Sequence, residues 1–443
     1  MKQAALPPPN PLLGKEGGSE ASFSWRPVPP FQGGTTGGFL IALSLLVFTL
    51  PAHAKPLESQ VKGLLGGLAT SISPVGVGDP RNVLPKDLQE LNASLATFRS
   101  LAPVPSASGA FKFEWDEEVG TFNRLRKGPG LADTAQTLGA KFGTVSVSYS
   151  HIDFDQLDGS NLDSLNSDEP AFSDDFLAEL PCDDPTDPSQ CDRLRFDDDQ
   201  LITHVNFKMS NDTIFLGGAY GITDSIDVGI AMSINHVKIK ARAKSILTDP
   251  DNNGPPSFDA SFAEAYPCRD QPDNRLCVED SFDDSATGTG DIYLRAKWRF
   301  LEWEYADFAA SGTLTIPTGN ADELLGFHDP TFTPLLIASK TYGRFSPHLN
   351  LGYAFRDGKD VSQALWIAGT DFTVIDRVIV AADFLGFHDD KRDNINDDVF
   401  QSAVGLKFNL FGSAVISANF QFPLNDDGLR AKVIYTGQVE YTF

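Results

Sequence analysis

The chain ends Tyr435-Thr-Gly-Gln-Val-Glu-Tyr-Thr-Phe443. Successive side chains of an extended chain point to opposite faces. Tyr435, Gly437, Val439, Tyr441 and Phe443 therefore share one side, and Thr436, Gln438, Glu440 and Thr442 the other. One side suits an apolar surrounding, the other a polar one. The same alternation recurs upstream. Segment 142–150 sets Val145, Val147 and Tyr149 against Ser146, Ser148 and Ser150. Segment 291–300 sets Ile292, Leu294, Ala296, Trp298 and Phe300 against Asp291, Arg295, Lys297 and Arg299. Segment 345–356 sets Phe345, Leu349, Leu351, Tyr353 and Phe355 against Ser346, His348, Asn350 and Arg356. A period of two is that of strands, not helices. A secreted two-sheet sandwich would show it too.

Three features favour a membrane barrel. Many segments run ten to twelve residues, longer than the roughly five or six of globular sheets and right for a tilted membrane strand of about 9–11. Short turns at Ile222–Ser225, Leu301–Tyr305, Tyr342–Arg344, Ile375–Arg377 and Leu410–Ser413 alternate with longer polar loops. Outer-membrane barrels show that asymmetry, with short periplasmic turns and long outer loops. The terminal aromatics Tyr441 and Phe443 resemble the C-terminal signal read by the bacterial barrel-assembly machinery.

Counting gives twelve strands, near 141–153, 200–221, 226–244, 289–301, 306–318, 330–341, 345–356, 363–374, 377–388, 398–409, 413–424 and 432–443. The second and third are long enough to project beyond the bilayer. If Phe443 ends in the periplasm, parity puts residue 140 on the same side and the long loops outside, and single-chain bacterial barrels do have even counts. Inward faces then carry Asp291, Arg295, Lys297, Arg299, Asp371, Asp383, Lys407 and Glu440. Charge facing lipid is costly, so these residues predict a polar lumen filled by ion pairs rather than a substrate site.

Composition fits that reading. The 443 residues include 35 Lys+Arg and 60 Asp+Glu, a formal charge of −25, which excludes a basic nucleic-acid-binding surface. With 33 Phe and 41% hydrophobic residues, this is no disordered acidic chain. A mean hydropathy of −0.17 argues against a bundle of membrane helices, each of which needs roughly 20 apolar residues. Phe39–Leu50 is the one continuous apolar run. It is too short to span a bilayer and suits a signal-peptide core, with Ala52-His53-Ala54 as a cleavage pattern. Residues 1–54 are therefore expected to be removed, although 38 Pro- and Gly-rich residues precede the apolar core. That extension points to a start codon placed too early or to an atypical leader.

Export allows the four cysteines to pair. Cys182 and Cys191 align with Cys268 and Cys277 at an offset of 86 residues, together with Phe176/Phe262, Pro181/Pro267 and the two Phe-Asp-Asp triplets at Phe196 and Phe282. This internal repeat predicts local pairing, Cys182 with Cys191 and Cys268 with Cys277, as a loop staple worth about 2–3 kcal/mol. The same loops hold the charge. Residues 153–199 contain 16 acidic and 2 basic side chains, and residues 245–288 contain 10 and 2. Within the second loop, Asp249, Asp251, Asn253 and Gly254 reproduce the first half of a calcium loop. The Glu expected at its last position is replaced by Ala260, with Asp259 one short. Turn chemistry explains the same string without a metal. A calcium ion here is the only cofactor expected.

Residues 55–139 differ from the barrel. Leu57, Val61, Leu64 and Leu68 fall at helical spacing, as do Leu84, Leu88, Leu91, Leu95 and Phe98. Phe111, Phe113 and Trp115 then alternate like a short strand. The segment is expected on the periplasmic side, as a plug or as a tether to the rim. The overall expectation is an all-β, 12-stranded antiparallel transmembrane barrel over 140–443, with long acidic extracellular loops and this short, partly helical N-terminal periplasmic segment.

Several stretches resemble a known group. They are Tyr220-Gly-Ile-Thr-Asp-Ser-Ile-Asp-Val-Gly229, Gly288-Thr-Gly-Asp-Ile-Tyr-Leu-Arg-Ala-Lys297, Leu314-Thr-Ile-Pro-Thr-Gly-Asn320, Gly343–Tyr353 and Phe422–Arg430. In their shared order they resemble the MetA-pathway of phenol degradation family of outer-membrane proteins, over about residues 138–443. The resemblance implies an outer-membrane barrel with a role in uptake of aromatic or other hydrophobic compounds. It transfers no binding residues.

Catalytic patterns are absent from the sequence. Seven scattered histidines show no metal spacing, there is no G-x-S-x-G elbow, and Gly288-Thr-Gly290 lacks the rest of a dinucleotide loop. Ser346 and His348 share an inward face, which does not suit a lipid hydrolase at the membrane edge. The expected role is a passive outer-membrane channel for small hydrophobic solutes, in contact with membrane lipid and lipopolysaccharide. The alternative is a structural or adhesion-type surface barrel with a filled lumen and cation-bridging loops.

Overall fold

The computed structural model describes residues 56–61, 64, 113–116, 121–124, 132–157, 159–170, 200–248, 276–356, 362–375, 377–389, 398–410 and 413–443. Twelve strands make the barrel: β1 Gly143–Leu157, β2 Gln200–Gly221, β3 Ile226–Thr248, β4 Leu276–Glu302, β5 Asp307–Ile316, β6 Thr331–Ser339, β7 Phe345–Ala354, β8 Gln363–Ile375, β9 Val378–Asp389, β10 Asp398–Asn409, β11 Ala414–Pro423 and β12 Leu429–Thr442. Each pairs antiparallel with the next, and β1 pairs with both β2 and β12. Closure leaves the barrel no free edge to template aggregation. Gly143 and Phe443 close the seam, exchanging N–H···O bonds of 2.9 Å in both directions.

All twelve expected strands are present. The largest boundary difference is β4, which begins at Leu276 rather than near 289. The reason lies next door: β3 continues to Thr248, and β4 pairs with it residue for residue up to Leu247↔Leu276. The second Phe-Asp-Asp triplet is therefore strand rather than loop. A short strand at Leu165–Pro170 adds to the outer end of β2.

The outward face decides the environment. Val147, Ile230, Leu336, Phe384, Leu406 and Val439 are all exposed, a continuous apolar surface of a kind soluble monomers do not carry. Aromatic residues gather at its two borders. Tyr220, Trp298, Trp303, Tyr305, Tyr342, Tyr441 and Phe443 lie at the short-turn end, and Tyr149, Phe332, Phe355, Trp366, Phe400 and Tyr435 toward the long-loop end. Trp303 and Tyr305 meet at 5.2 Å and Tyr353 and Phe355 at 4.6 Å between ring centres. Such girdles mark the two interfaces of a membrane barrel. By the same rule the short-turn end is periplasmic.

Three described pieces precede the barrel: one helical turn at 57–61 with Leu64, a hairpin pairing Phe113–Asp116 with Thr121–Arg124, and the extended segment 132–138. The leader and the second amphipathic stretch near Leu84–Phe98 lie outside the described residues.

Candidate functional site

The inner wall has two storeys. In the periplasmic half it is polar. Ser146, Ser148, Ser346, His348, Asn350, Asp371, Asp383, Lys407, Ser417, Asn419, Thr436 and Glu440 all point inward and are buried. His348 Nε2 lies 2.6 Å from Asp383 Oδ1. Thr144 donates to Glu440 at 3.1 Å. Asp371 and Lys407 face each other on β8 and β10 across β9. Ser346 shares its hydrogen bond with Thr341 at 3.0 Å, so the shared face of Ser346 and His348 does not join them.

The segment immediately before β1 occupies this polar half. Leu138 N donates to both Asp227 oxygens at 3.0 and 2.8 Å. Ala135 N donates to Ser339 Oγ at 2.9 Å. Asp133 N donates to Asn350 Oδ1 at 2.8 Å, and Asn350 Nδ2 returns a bond to Asp133 O at 2.9 Å. The Asp133 carboxylate is held by Arg295 and by Lys297 Nζ at 3.1 Å. Lys297, only 2% exposed at its side chain, also donates to Thr134 O at 3.1 Å. Residues 132–138 are thus zipped to the wall from β3 to β7 and lie inside the barrel.

Above this level two apolar clusters appear, interspersed with buried polar side chains such as Gln363, Asp389, Gln401, Gln421, Arg356 and Arg430. On one side Ile152, Phe154, Val205, Phe207, Met209, Val237 and Ile239 form a buried cluster. On the other Leu365, Ile367, Leu385, Phe387 and Val399 pack with Ala132 and Ala354. Two elements cover the first side. The helical turn contributes Leu57, Val61 and Leu64, each worth about 1.5–3 kcal/mol when taken out of water. The loop between β5 and β6 folds inward and contributes Leu324 and Leu325. Asp291 fixes that loop, accepting from Gly319 N at 3.1 Å and Phe327 N at 2.9 Å. Asn235 Nδ2 donates to Leu325 O at 2.6 Å. Gly290 permits the approach, since a Cβ there would stand 3.0 Å from Leu325 O and closer still to Ser233 and Asn235. Helix and loop are joined by Leu57 N donating to Glu323 Oε2 at 3.2 Å and by the pair Glu58–His328 at 3.8 Å. With Asp322, Glu58 and His328 bring three donor atoms within 4.8 Å of one another.

No protein-family model and no curated protein matches the chain. Solved structures do match. The COG4313 outer membrane channel from Pseudomonas putida F1 is 13% identical, over 70% of this chain and 98% of that one, with a TM-score of 0.41. A Pseudomonas aeruginosa FadL homologue is 10% identical, over 69% and 90%, with a TM-score of 0.30. The KdgM porin is 7% identical, over 55% and 99%, also at 0.30. At such identities and scores the likeness says nothing of substrate.

The structure places all eight expected lumen charges on the inner wall, but in different company. Arg295 and Lys297 meet Asp133, Asp291 holds the inward loop, and Asp383 takes His348. Arg299 sits at the periplasmic rim, bonded to Asp224 O at 3.0 Å and paired with Glu302 at 2.7 Å. Cys277 is buried on β4 and disulfide-bonded. Cys182, Cys191, Cys268 and the calcium candidates Asp249, Asp251, Asn253 and Asp259 lie outside the described residues.

Of the described pieces of the N-terminal segment, residues 132–138 bond to the inner wall and the turn at 57–64 packs on its upper apolar cluster, a plug-like placement. The cause is the two-storey wall: polar main chain at 132–138 meets polar side chains, and the apolar stripe of 57–64 meets apolar ones. Asp133, Asp227 and the inward loop were missed from sequence. One signal did exist. Arg295 and Lys297 are adjacent inward cations, and Asp133 is the one acid in the Leu131-Ala-Asp-Thr-Ala135 run before the barrel.

Proposed function

We propose that the protein is a passive outer-membrane uptake channel for small hydrophobic or aromatic compounds, gated by its own N-terminal segment. The observation that carries this is the pair of apolar clusters in the outer half of the lumen. A pore for hydrophilic solutes has a polar interior that water wets, with no need of large apolar clusters on its wall. Here the half that faces the outside offers Phe154, Phe207, Met209, Ile239, Phe387 and Leu385, a surface on which an apolar solute gains by leaving water. Residues 132–138 lie in the lower, polar half, bonded to the wall from β3 to β7, and on this reading passage needs that segment to move. The resemblance to the phenol-degradation-pathway family supports the same solute class. Export by the signal peptide and insertion through Tyr441 and Phe443 by the assembly machinery belong to this reading, as do disulfide staples and acidic outer loops that weaken anion access at low salt.

The test is uptake of radiolabelled phenol and benzoate, with sucrose as polar control, in cells lacking the gene and in cells with it restored. Restoration is expected to speed aromatic uptake and leave sucrose unchanged. Equal aromatic uptake in both strains would refute the channel. A second reading, a structural barrel, is favoured by the tight filling of the polar half. It predicts a lumen that stays closed to ions in planar bilayers even after residues 55–138 are deleted.

A further inference from the structure

Strand β3 changes character at one position without changing its geometry. Its outward side chains run Val228, Ile230, Met232 and Ile234, then His236, Lys238, Lys240, Arg242 and Lys244. Inward neighbours remain apolar or small throughout the upper part, so the switch concerns the outside alone. With a rise of about 3.3 Å per residue and a tilt of about 40°, each outward position stands about 5 Å above the last. Lys238 and Lys240 therefore stand roughly 10 and 15 Å above Ile234, at and just beyond the headgroup layer that borders a hydrocarbon core about 30 Å thick.

The neighbouring elements neutralise this face only in part. Lys208 on β2 is the direct cross-strand partner of Lys240, and like charges directly opposite destabilise a sheet. Three acids take one cation each: Asp163 with Lys208 at 3.2 Å, Asp283 with Lys240 at 3.3 Å, and Glu279 with Arg242. Lys238 and Lys244 make no ion pair among the described residues. Beside them β4 offers the hydroxyls of Ser281, Ser285 and Thr287 in register with Arg242, Lys238 and His236, and Glu279, already bonded to Arg242, in register with Lys244. On β1 the corresponding outward residues are the acids Asp153 and Asp155, the latter paired with Lys432 of β12 at 3.4 Å, so among the described residues the cationic face lies on β2 and β3. This is a one-sided site, not a ring.

We propose that this face binds the phosphates of the phosphorylated glycolipid of the outer leaflet, lipid A. An amphiphile with acyl chains below and phosphates above matches an apolar strand face that becomes cationic at headgroup height. The site would anchor the projecting β2–β4 extension against the membrane, although the loops at its tip are strongly acidic. The proposal rests on the outer-membrane placement and not on passage of solute through the lumen.

Native mass spectrometry of the full-length protein in detergent micelles tests it, with diphosphoryl lipid A and its dephosphorylated form as probes. Diphosphoryl lipid A is expected to bind, and the dephosphorylated form to bind only weakly. Lys238→Gln with Lys244→Gln should weaken binding about 30-fold, at roughly fivefold for each cation near an anionic surface. Adding Lys240→Gln and Arg242→Gln should abolish it, while Arg344→Gln at the opposite end changes nothing. Each single variant, Lys238→Gln or Lys244→Gln, is measured as well, and gel mobility before and after boiling confirms a folded barrel. Equal binding of the two lipid forms, no binding by the unaltered protein, or a double variant that binds normally would each overturn the proposal.

Discussion

Replacing Asp133 by Asn isolates the electrostatic part of the closure. Asn keeps the volume and the two main-chain bonds with Asn350 at 2.8 and 2.9 Å. It loses the charge that holds Arg295 and Lys297. Two hydrogen bonds to charged groups contribute about 1.5–3 kcal/mol each. Leaving buried charge without its partner costs about 3–5 kcal/mol. Both routes put the loss near 3–5 kcal/mol, to be set against the docked position of residues 132–138. At 1.4 kcal/mol per tenfold, the closed-to-open ratio should fall by roughly a hundredfold to a few thousandfold.

The penalty has an outlet, because opening the lumen lets water reach both cations. The barrel itself should therefore keep its thermal stability, and the change should appear in planar-bilayer recordings as a large rise in open time. Lys297→Met in the same chain removes one of the stranded cations and should restore closure in part, giving a coupling energy of the kind a double-mutant cycle measures. If Asp133→Asn left open time unchanged while lowering the melting temperature, the segment would be a permanent part of the barrel core, and gating by it would be wrong.

Other perturbations address the scaffold. Leu406→Arg places a charge on the lipid face, where Leu406 is 49% exposed; the expected loss is about 2–4 kcal/mol near the midplane, read from urea unfolding in lipid vesicles, and a neutral result would mean the face does not meet lipid. Deleting Phe443 removes both seam bonds to Gly143 and the terminal aromatic, so the boiling-sensitive folded band in outer-membrane fractions should fall severalfold; normal yield would refute the role of that end. Gly221→Ala puts a Cβ 1.9 Å from Gly139 O, at the turn from the lumenal segment into β1. Displacement there should cost about 1–3 kcal/mol, seen as a lower melting temperature, and an unchanged melt would mean that the turn yields freely.

What could be read in advance followed the length scale of the physics. Strand alternation is local: Val145, Val147 and Tyr149 against Ser146, Ser148 and Ser150 needs only neighbours, and the barrel follows from repeating it. The start of β4 is less local. Residues 276–288 hold Asp280, Asp283 and Asp284, poor strand formers by themselves, and become strand because β3 supplies Lys240 and Arg242 opposite. The site is the least local of all. Asp133 meets Lys297 across 164 positions and Leu57 meets Glu323 across 266, and no spacing rule connects such pairs. Inwardness of Arg295, Lys297, Asp371 and Lys407 was legible, because alternation gives it; their partners were not.

Charge placement in this chain follows the cost of charge in each surrounding. The formal −25 is concentrated in residues 153–199 and 245–288, which the proposed function puts outside the membrane, where water and counter-ions make repulsion cheap. Inside the barrel, ions cannot be left alone, so Arg295 and Lys297 converge on Asp133 and His348 on Asp383. On the outer wall the unpaired cations among the described residues gather at one place, Lys238 and Lys244 on β3, beside the acids Asp283 and Glu279 that take Lys240 and Arg242. Dispersed evenly, the same residues would put charge into lipid on one face and leave anions against anionic lipid on another. Sorting them by surrounding is what lets a strongly acidic chain sit in a membrane whose outer leaflet is itself acidic, and it makes the lumenal and lipid-facing charges separable in experiment: Asp133→Asn acts on conductance, Lys238→Gln on lipid binding, and neither should act on the other.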